Sequence, residues 1–402
     1  MNMASFPHVL MLSWEFPPRI IGGISSHVYN LSLQLTRLGV AVHVVTCAFP
    51  GAPDREEIHG IAVYRTDPYA LPAPDFPSWV YEMNLGLQRL GAEILRHMPR
   101  ERSIIHAHDW LTAKAAIGLK HLHRIPLLST IHSTEYGRQR GSLSSDCNRM
   151  IHETEYWLSF ESWRIICCSH YMAEEVRHLF GVPEDKLNII PNGVNPEEFS
   201  EPFEAESFRR QFARPGEALV LYVGRLVYEK GCKILMEAIP RILSQLEAKF
   251  VFVGDGYMRE ILEEEAKRLK LYDRVFFTGF LQGSALRRLY RVADICVIPS
   301  LYEPFGITAL EAMAAKCLVI ASATGGLAEI VEDGRTGITV PPGDPEALAK
   351  GITKALRDAG RYEELRSNAL RKVLYEYDWR KIAKETLDVY LRVIEERRRV
   401  PW

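Results

Sequence analysis

The sequence predicts an α/β protein built from two doubly wound parallel-sheet domains. Short β-rich runs alternate with amphipathic helical stretches along all 402 residues, a pattern typical of βαβ units. The pattern restarts after the loop at 191–199, and all 13 histidines lie at or before His178. We therefore predict a first domain over 1–195 and a second over 196–379.

The strands are predicted from runs rich in Val, Ile and Leu, which are typical of buried parallel strands. In the first half these runs are HVLML (8–12), AVHVVT (41–46), IIHAH (104–108) and PLLSTIH (126–132). In the second half they are LVLYVGR (219–225), KFVFVGDG (249–256), VFFTGF (275–280), ICVIPS (295–300) and CLVIAS (317–322).

Helices are predicted where apolar residues recur at helical spacing. One is expected around Ser25–Leu38, and another begins near Leu111. The longest runs from Trp379 to Arg399, and we expect this C-terminal helix (about 380–402) to pack back on the first domain. Its basic end suits the negative pole of a helix.

Composition narrows the class of protein. The chain is 47% hydrophobic and 25% charged, which argues against wholesale disorder, and its net charge of −2 disfavours a nucleic-acid partner. Seven cysteines without a C-x-x-C pair favour reduced thiols and a cytoplasmic location. No apolar run reaches the roughly 18 residues of a membrane span. The composition is compatible with peripheral attachment to a membrane and with a homo-oligomer.

The most specific motif is SLYEPFGITALEAMA (300–314), which joins a strand to a helix. Glu303 lies in the loop, and Glu311 follows in the first turns of the helix. Gly306 permits a close approach of backbone to ligand, and the helix start presents amides to an anion. The site can hold a phosphate while two carboxylates accept hydrogen bonds from sugar hydroxyls. The alternative interpretation is that Glu303 and Glu311 are solvent-exposed acids near the start of a helix and bind no ligand.

A second motif, VGRLVYEKG (223–231), places Arg225 and Lys230 after another strand. Ligands of open α/β sheets bind at the carboxyl ends of the strands, where these cations can converge on a diphosphate. Two surface cations near a helix start are the alternative.

A glycine loop, EFPPRIIGGISSH (15–27), opens a helix in the first half. It is not the dinucleotide fingerprint, because G-x-G-x-x-G cannot be placed there. The helix start after Gly22 and Gly23 can still receive phosphate or sugar hydroxyls. Tight packing of the strand on the helix is the alternative.

Polar residues end two further strands of the first half, in IIHAHDW (104–110) and STIHSTEYGRQRG (129–141). Because side chains alternate along a strand, His106 and His108 lie on the same face, but two histidines do not complete a metal ligand set. No D-x-D occurs in the chain, so carboxylates for a metal-bound diphosphate are missing. We predict that no metal is required.

Together the motifs resemble the retaining glycosyltransferases of family 4 and the related bacterial and archaeal glycogen and starch synthases. The strings that carry the resemblance are GRLVYEKG, EPFGITALEAMA, PNGV and TGGLAEIVEDGRTGITVPPGDPEALA. The resemblance implies the GT-B fold, with two Rossmann-like domains facing a central cleft. It implies no bound cofactor, because the ADP- or UDP-sugar is the donor substrate.

The resemblance also implies roles for individual residues. Arg225 and Lys230 match the pair that grips the donor diphosphate, Glu303 the acid at the donor sugar and Glu311 the acid at the ribose. His132 matches a histidine near the reacting sugar. Further donor contacts are implied at Gly22, Gly23, Gly224, Leu281, Phe305, Gly306 and Ile307, and acceptor contacts at Asp109 and Trp110 in the HDW motif. Apart from the resemblance, Tyr136 is an aromatic residue that can stack on an acceptor sugar, with core or inter-helix packing as the alternative.

The implied reaction is transfer of a hexosyl group, with glucose favoured, to an acceptor hydroxyl of an α-glucan. Two alternative reactions of the same class are synthesis of a small product, such as sucrose phosphate or trehalose, and glycosylation of a lipid or polysaccharide precursor. A sugar-nucleotide epimerase or a non-catalytic binding module is the alternative from another class. Ile20 stands where the synthases often carry Lys two residues before the glycines, which argues against equating this chain directly with a starch synthase.

Overall fold

The computed structural model describes residues 6–69, 72–400 and 402, and the chain divides into two units. The first unit takes in the chain up to Asn192 together with Trp379–Trp402, and the second is Gly193–Asp378. The boundary predicted from the sequence lies three residues later, within the same loop.

Each unit is built on one sheet. The sheet of the first unit has eight strands: β1 His8–Leu12, β2 Ala41–Cys47, β3 Arg55–Ile58, β4 Ile61–Thr66, β5 Ser103–His108, β6 Leu127–Ile131, β7 Arg164–Cys167 and β8 Leu187–Ile189. The sheet of the second unit has six: β9 Ala218–Val223, β10 Ala248–Val253, β11 Val275–Gly279, β12 Ile295–Ile298, β13 Leu318–Ser322 and β14 Ile338–Val340. All neighbours pair in parallel except β3 and β4.

Helices connect the strands in both units. Those of the first unit are α1 Gly23–Arg37, α2 Phe76–Leu95, α3 Ala113–His123, α4 Glu135–Arg138, α5 Asp146–Glu161 and α6 His170–Phe180. Those of the second are α7 Ala205–Arg209, α8 Cys232–Leu243, α9 Arg259–Arg268, α10 Gly283–Val292, α11 Ile307–Ala314, α12 Leu327–Ile330, α13 Pro345–Arg357 and α14 Glu363–Glu376. The last, α15 Trp379–Arg399, returns to the first unit. No helix in the described ranges combines the length and apolarity that a membrane crossing requires.

The strand orders confirm the prediction of two doubly wound sheets. The second sheet runs β11-β10-β9-β12-β13-β14, the order of a dinucleotide-binding fold, and the first runs β3-β4-β2-β1-β5-β6-β7-β8. In each sheet the direction of winding reverses once, between β9 and β12 or between β1 and β5. Ligands of such sheets bind beyond the carboxyl ends of the strands that flank this reversal.

The sheet of the first unit is buried on both faces. Along β1, Leu10 and Leu12 enter one apolar cluster, and Val9 and Met11 enter the cluster on the other face. The period-two alternation of a strand explains this division. Helix α15 covers the second face with Trp379, Ile382, Leu387 and Tyr390 among its contacts.

A buried polar contact ties α15 to this sheet. The hydroxyl of Tyr390 lies 2.7 Å from Nδ1 of His106, whose Nε2 lies 2.7 Å from Thr130 Oγ1, and neither Tyr390 nor His106 is exposed. We expect Tyr390→Phe to destabilise the first unit by about 1–3 kcal/mol, because it leaves a buried imidazole nitrogen without a partner.

Denaturant unfolding followed by tryptophan fluorescence measures this loss, since all seven tryptophans lie in the first unit. Tyr156→Phe is the matched control, because that side chain is 49% exposed. An unfolding midpoint for Tyr390→Phe equal to that of the control would contradict the expectation.

Candidate active site

Two loops of the second unit meet at the reversal of its sheet. One follows β9 and the other follows β12, and the carbonyl oxygen of Glu229 accepts the N–H groups of Leu301 (2.8 Å) and Tyr302 (3.2 Å). Gly231 allows this approach, because a Cβ there would stand 1.8 Å from the Pro299 carbonyl oxygen. Gly231 also has a φ of 66°, so both its conformation and its contact require glycine.

The meeting of these loops brings Lys230 onto Glu303. The ammonium of Lys230 donates to both carboxylate oxygens at 2.8 Å, and Ser300 Oγ donates to Oε2 at 3.1 Å. Both charged side chains are largely but not fully buried, 22% and 12% exposed. Arg225 lies on the same loop, half-exposed, with its guanidinium 3.2 Å from Glu229. The free protein thus holds a cation and a carboxylate together where a ligand of this sheet would bind.

Helix α11 begins directly after this pair. Gly306 precedes it with a φ of 115°, a conformation that favours glycine. The first N–H groups of a helix have no acceptor within it, although Ala309 N–H donates to the Gly306 carbonyl oxygen at 2.9 Å. The loop is held by Gly326, whose N–H donates to the Glu303 carbonyl oxygen at 2.9 Å. Phe305 turns its ring into the interior against Tyr377, at 6.0 Å between centroids, so its backbone rather than its ring is available to a ligand.

Glu311 lies farther along α11. The buried hydroxyl of Tyr290 donates to its Oε2 at 2.8 Å. Burial raises the pKa of Glu311 to about 7, although the hydrogen bond from Tyr290 opposes the shift. A carboxylate so placed changes its charge near neutral pH.

The remaining predicted donor contacts lie at other strand ends of the same sheet. Gly224 directly follows β9, and its carbonyl oxygen would stand 2.0 Å from a Cβ on Gly254, which follows β10. Leu281 follows β11, an edge strand two positions from β9. These residues line the same carboxyl edge as Lys230 and Glu303, but no side-chain contact joins Leu281 to that pair.

In the first unit, Glu15 holds the glycine loop. Its Oε2 accepts the N–H groups of Ile21 at 2.7 Å and Gly22 at 2.8 Å, and the residue is 1% exposed. Burial raises the pKa of Glu15, and the two backbone hydrogen bonds oppose the shift. The loop that carries Gly22 and Gly23 is therefore shaped by a carboxylate before any ligand arrives.

We expect Glu15→Ala to raise amide exchange in residues 16–24 by about 10–100-fold, because a charged hydrogen bond contributes about 1.5–3 kcal/mol. Glu15→Gln keeps one oxygen acceptor and should restore most of the protection. Asp344→Ala is the matched control, since its carboxylate also accepts two backbone amides at 2.9 Å, but in the second unit. Unchanged exchange in Glu15→Ala, measured by mass spectrometry, would overturn this role.

Three histidine rings meet near the carboxyl ends of β5 and β6. His108 Nδ1 lies 3.2 Å from His132 Nε2, and the ring of His27, from α1, lies 4.8 Å from His132 and 5.3 Å from His108 between centroids. Burial lowers the pKa of His132 to about 3, so its imidazole is neutral at physiological pH. A neutral imidazole can exchange hydrogen bonds with a sugar hydroxyl.

Asp109 positions His132. Its Oδ1 accepts the His132 backbone N–H at 2.7 Å, and Asp109 itself has a φ of 58°, unusual for a residue with a side chain. Burial raises the pKa of Asp109 to about 6, against the attraction of Arg138 and the hydrogen bonds that the carboxylate accepts. Such backbone strain in a buried acid clusters at functional sites.

The two aromatic acceptor candidates lie in different surroundings. Trp110 is 6% exposed and packs edge-on against Phe76, at 6.1 Å between centroids, within the apolar core. Tyr136 is 38% exposed on α4. The structure thus leaves Tyr136 open for stacking on a sugar and assigns the ring of Trp110 to packing.

Several site residues were missed by the sequence reasoning. Four residues without a predicted role contact predicted site residues through their side chains: Glu15, His27, Ser300 and Tyr290. The first three lie at the ends of the strings 15–27 and 300–314, but neither motif assigned them a role. For Glu15 alone a signal existed, because it precedes a double proline and a double glycine at a strand end.

Comparison with known proteins agrees with this geometry. The family model described as glycosyl transferases group 1 matches residues 204–372, and the model described as glycosyltransferase family 4 matches residues 21–198. The first match lies within the second unit, and the second match covers most of the first unit and extends six residues past Asn192.

Similar full-length proteins are glycosyltransferases. The chain is 42% identical to an uncharacterized glycosyltransferase of Methanocaldococcus jannaschii, MJ1607, over 96% of this chain and 98% of that protein. It is 36% identical to a glycogen synthase of Mycobacterium tuberculosis, over 95% and 94% of the two chains. The solved sucrose-phosphate synthase of Thermosynechococcus elongatus superposes with a TM-score of 0.82 at 25% identity, covering 97% and 100% of the chains.

Proposed function

Because this chain belongs to the family 4 glycosyltransferases of the GT-B fold, we propose that it transfers a hexosyl group, with glucose as the first candidate, from ADP- or UDP-sugar to an acceptor hydroxyl. The anomeric configuration is retained in the proposed reaction. The observation that carries the proposal is the contact of Lys230 with Glu303, beside Arg225 and the start of α11, at the reversal of the second sheet.

The proposed mechanism stabilises charge on the leaving diphosphate. Negative charge builds on it as the glycosidic bond loosens, and Arg225, Lys230 and the first amides of α11 lie where such charge can be balanced. The same cations make a metal ion unnecessary in this scheme. Attack from the face of the leaving group lets a phosphate oxygen take the acceptor proton, so no separate base is needed.

The proposed acceptor is an α-glucan. The 36% identity with a glycogen synthase over nearly the full length supports this choice. The likeness to a sucrose-phosphate synthase keeps a small phosphorylated acceptor as the second candidate. We further propose a cytoplasmic location, where sugar nucleotides and reduced cysteines coexist.

A donor screen tests the proposal. The full chain is incubated with UDP-, ADP- and GDP-sugars in EDTA, with and without glycogen or maltooligosaccharides, and nucleotide release and product mass are followed. Consumption of ADP- or UDP-glucose that rises with glucan supports the proposal. Release that responds to a sugar phosphate, glucose or lipid replaces the acceptor. Altered sugar without transfer indicates an epimerase, and no turnover with any donor indicates a binding module.

Donor affinity should rise with pH through 7. Glu311 is expected to accept hydrogen bonds from the ribose as a carboxylate, whereas its pKa of about 7 leaves it mostly protonated at pH 6. Binding below pH 7 must then release a proton, which weakens affinity by up to about tenfold per pH unit. Calorimetry with UDP-glucose and ADP-glucose between pH 5.5 and 8.5, at roughly half-unit steps, measures this.

Glu311→Gln is the control, because it cannot ionise and should flatten the profile. The diphosphate diester of the donor does not titrate in this range. A wild-type affinity that is constant across it would contradict the expected role of Glu311.

A further inference from the structure

The three-histidine cluster, His27, His108 and His132, offers more than hydrogen bonds to a sugar. One ring nitrogen from each lies within 4.8 Å of one ring nitrogen from each of the others. It is the one group in the described part of the chain in which three potential metal ligands converge in this way. His27 and His108 are buried, and His132 is partly exposed, which leaves a path from solvent.

The orientation of His27 is fixed by a neighbour. Its Nδ1 lies 2.7 Å from Asn192 Oδ1, and an amide oxygen can only accept, so Nδ1 carries the proton and Nε2 bears the lone pair. That Nε2 is buried without a hydrogen-bond partner among the described residues. Metal-binding histidines commonly have one nitrogen fixed by an oxygen acceptor and the other free.

The spacing fits a tetrahedral ion after a small movement. Zinc–nitrogen bonds of about 2.0–2.1 Å place tetrahedral ligand nitrogens about 3.4 Å apart. His108 Nδ1 and His132 Nε2 are already 3.2 Å apart. The nitrogen of His27 lies within 4.8 Å of the other two, so it must approach by about 1 Å, a shift that keeps its Nδ1 directed at Asn192. The proton now shared between His108 and His132 moves to the outer nitrogen of its ring, so three neutral imidazoles bind without net proton release.

We propose that His27, His108 and His132 bind one zinc ion, with the fourth position open toward solvent, and that this ion inhibits rather than supports the reaction. Three histidines and one exchangeable position form a common zinc arrangement. The inhibitory part rests on the proposed function, because zinc would withdraw the His132 nitrogen from the donor sugar. The sequence analysis considered His106 with His108 and found no third ligand; the third ligand comes from α1.

Direct binding tests the site without reference to catalysis. The full chain is stripped with EDTA, freed of chelator and titrated with Zn²⁺ against a competing chromophoric chelator, and with Co²⁺ while the visible spectrum is recorded. We expect one ion per chain and the intense absorption of four-coordinate Co²⁺. His27→Gln should weaken Zn²⁺ binding by at least about tenfold, the lower range for loss of even an outer contact.

His43→Gln is the matched control. His43 lies in the same unit, its Nδ1 is also buried without a partner, and it is outside the cluster. It should bind Zn²⁺ as the wild type does. Absence of stoichiometric Zn²⁺ binding and of the four-coordinate Co²⁺ spectrum in the wild type would overturn the proposal, as would equal losses in both variants.

Activity separates this proposal from the proposed function. If both hold, transfer proceeds in EDTA, one equivalent of Zn²⁺ slows it, and EDTA restores it. Transfer in EDTA without any Zn²⁺ binding rejects the zinc site alone. Zn²⁺ and Co²⁺ binding without turnover of any donor rejects the proposed function while the site stands.

Discussion

Lys230→Ala is expected to lower turnover by about 10²–10³-fold, the scale for loss of one electrostatic contact to a transition state. In the free protein its ammonium donates to both oxygens of Glu303. In the proposed reaction it also faces the leaving diphosphate, where negative charge increases as the bond breaks. Of the two cations proposed to face the diphosphate, Lys230 is the more buried, with its side chain 22% exposed against 55% for Arg225. The substitution therefore removes the cation that is better shielded from water.

Steady-state kinetics of nucleotide release measures this loss. Lys233→Ala is the matched control, because Lys233 is three residues away, 54% exposed and paired only with Glu237 on the surface of α8. The control should keep activity within about twofold, since exposed pairs contribute little. Turnover of Lys230→Ala within fivefold of the control would remove Lys230 from the donor site.

Glu303→Ala is expected to lower turnover by a similar factor, about 10²–10³-fold, but through a different part of the donor. Its carboxylate is proposed to hold the sugar hydroxyls, so affinity for the complete donor should fall. Affinity for the nucleoside diphosphate alone should be kept or increased, because Lys230 loses the carboxylate that competes with the phosphates. Calorimetry with ADP or UDP, compared with ADP-glucose or UDP-glucose, distinguishes the two effects.

Ser300→Ala serves as a graded control, because it removes one neutral donor to Glu303 at 3.1 Å and leaves the charge pair intact. Its effect should stay within about tenfold, since a typical hydrogen bond contributes about 0.5–1.5 kcal/mol. If Glu303→Ala weakened diphosphate and donor equally, the carboxylate would be structural and the assignment to the sugar would be wrong.

The fold class could be predicted from the sequence because parallel strands that are buried on both faces consist of nearly uninterrupted apolar residues. Each run identified in the second half contains a strand of the structure, from β9 to β13. Strands β8 and β14 were missed because each has only three residues, and β3 because Arg-Glu-Glu-Ile carries too little apolar character for a strand prediction. Strands β4 and β7 were also not predicted, although IAVYRT and RIIC are largely apolar. Short and exposed edge strands depend on their neighbours rather than on their own sequence.

The side-chain contacts within the site could be predicted from the sequence only in part. Parallel strands end at one edge, which is why Lys230 and Glu303 could be assigned to a common region. Their direct pairing depends on Gly231, where a Cβ would stand 1.8 Å from the Pro299 carbonyl oxygen, and no sequence spacing reveals that contact. The place of His27 beside His132 depends on how α1 is rotated on its sheet, and that is decided by packing across the first unit.

The route of the chain has a consequence for recombination between relatives. Val194 N–H donates to the Tyr377 carbonyl oxygen at 3.0 Å, and Val194 pairs with Asp378 as neighbouring strands do, so the second unit begins and ends side by side. It is therefore one uninterrupted insertion, with both termini about 5 Å apart. A gene segment encoding 193–378 can therefore be exchanged as a single cassette, and under the proposed function such an exchange transfers the proposed diphosphate site while the first unit, which α15 completes, stays unchanged.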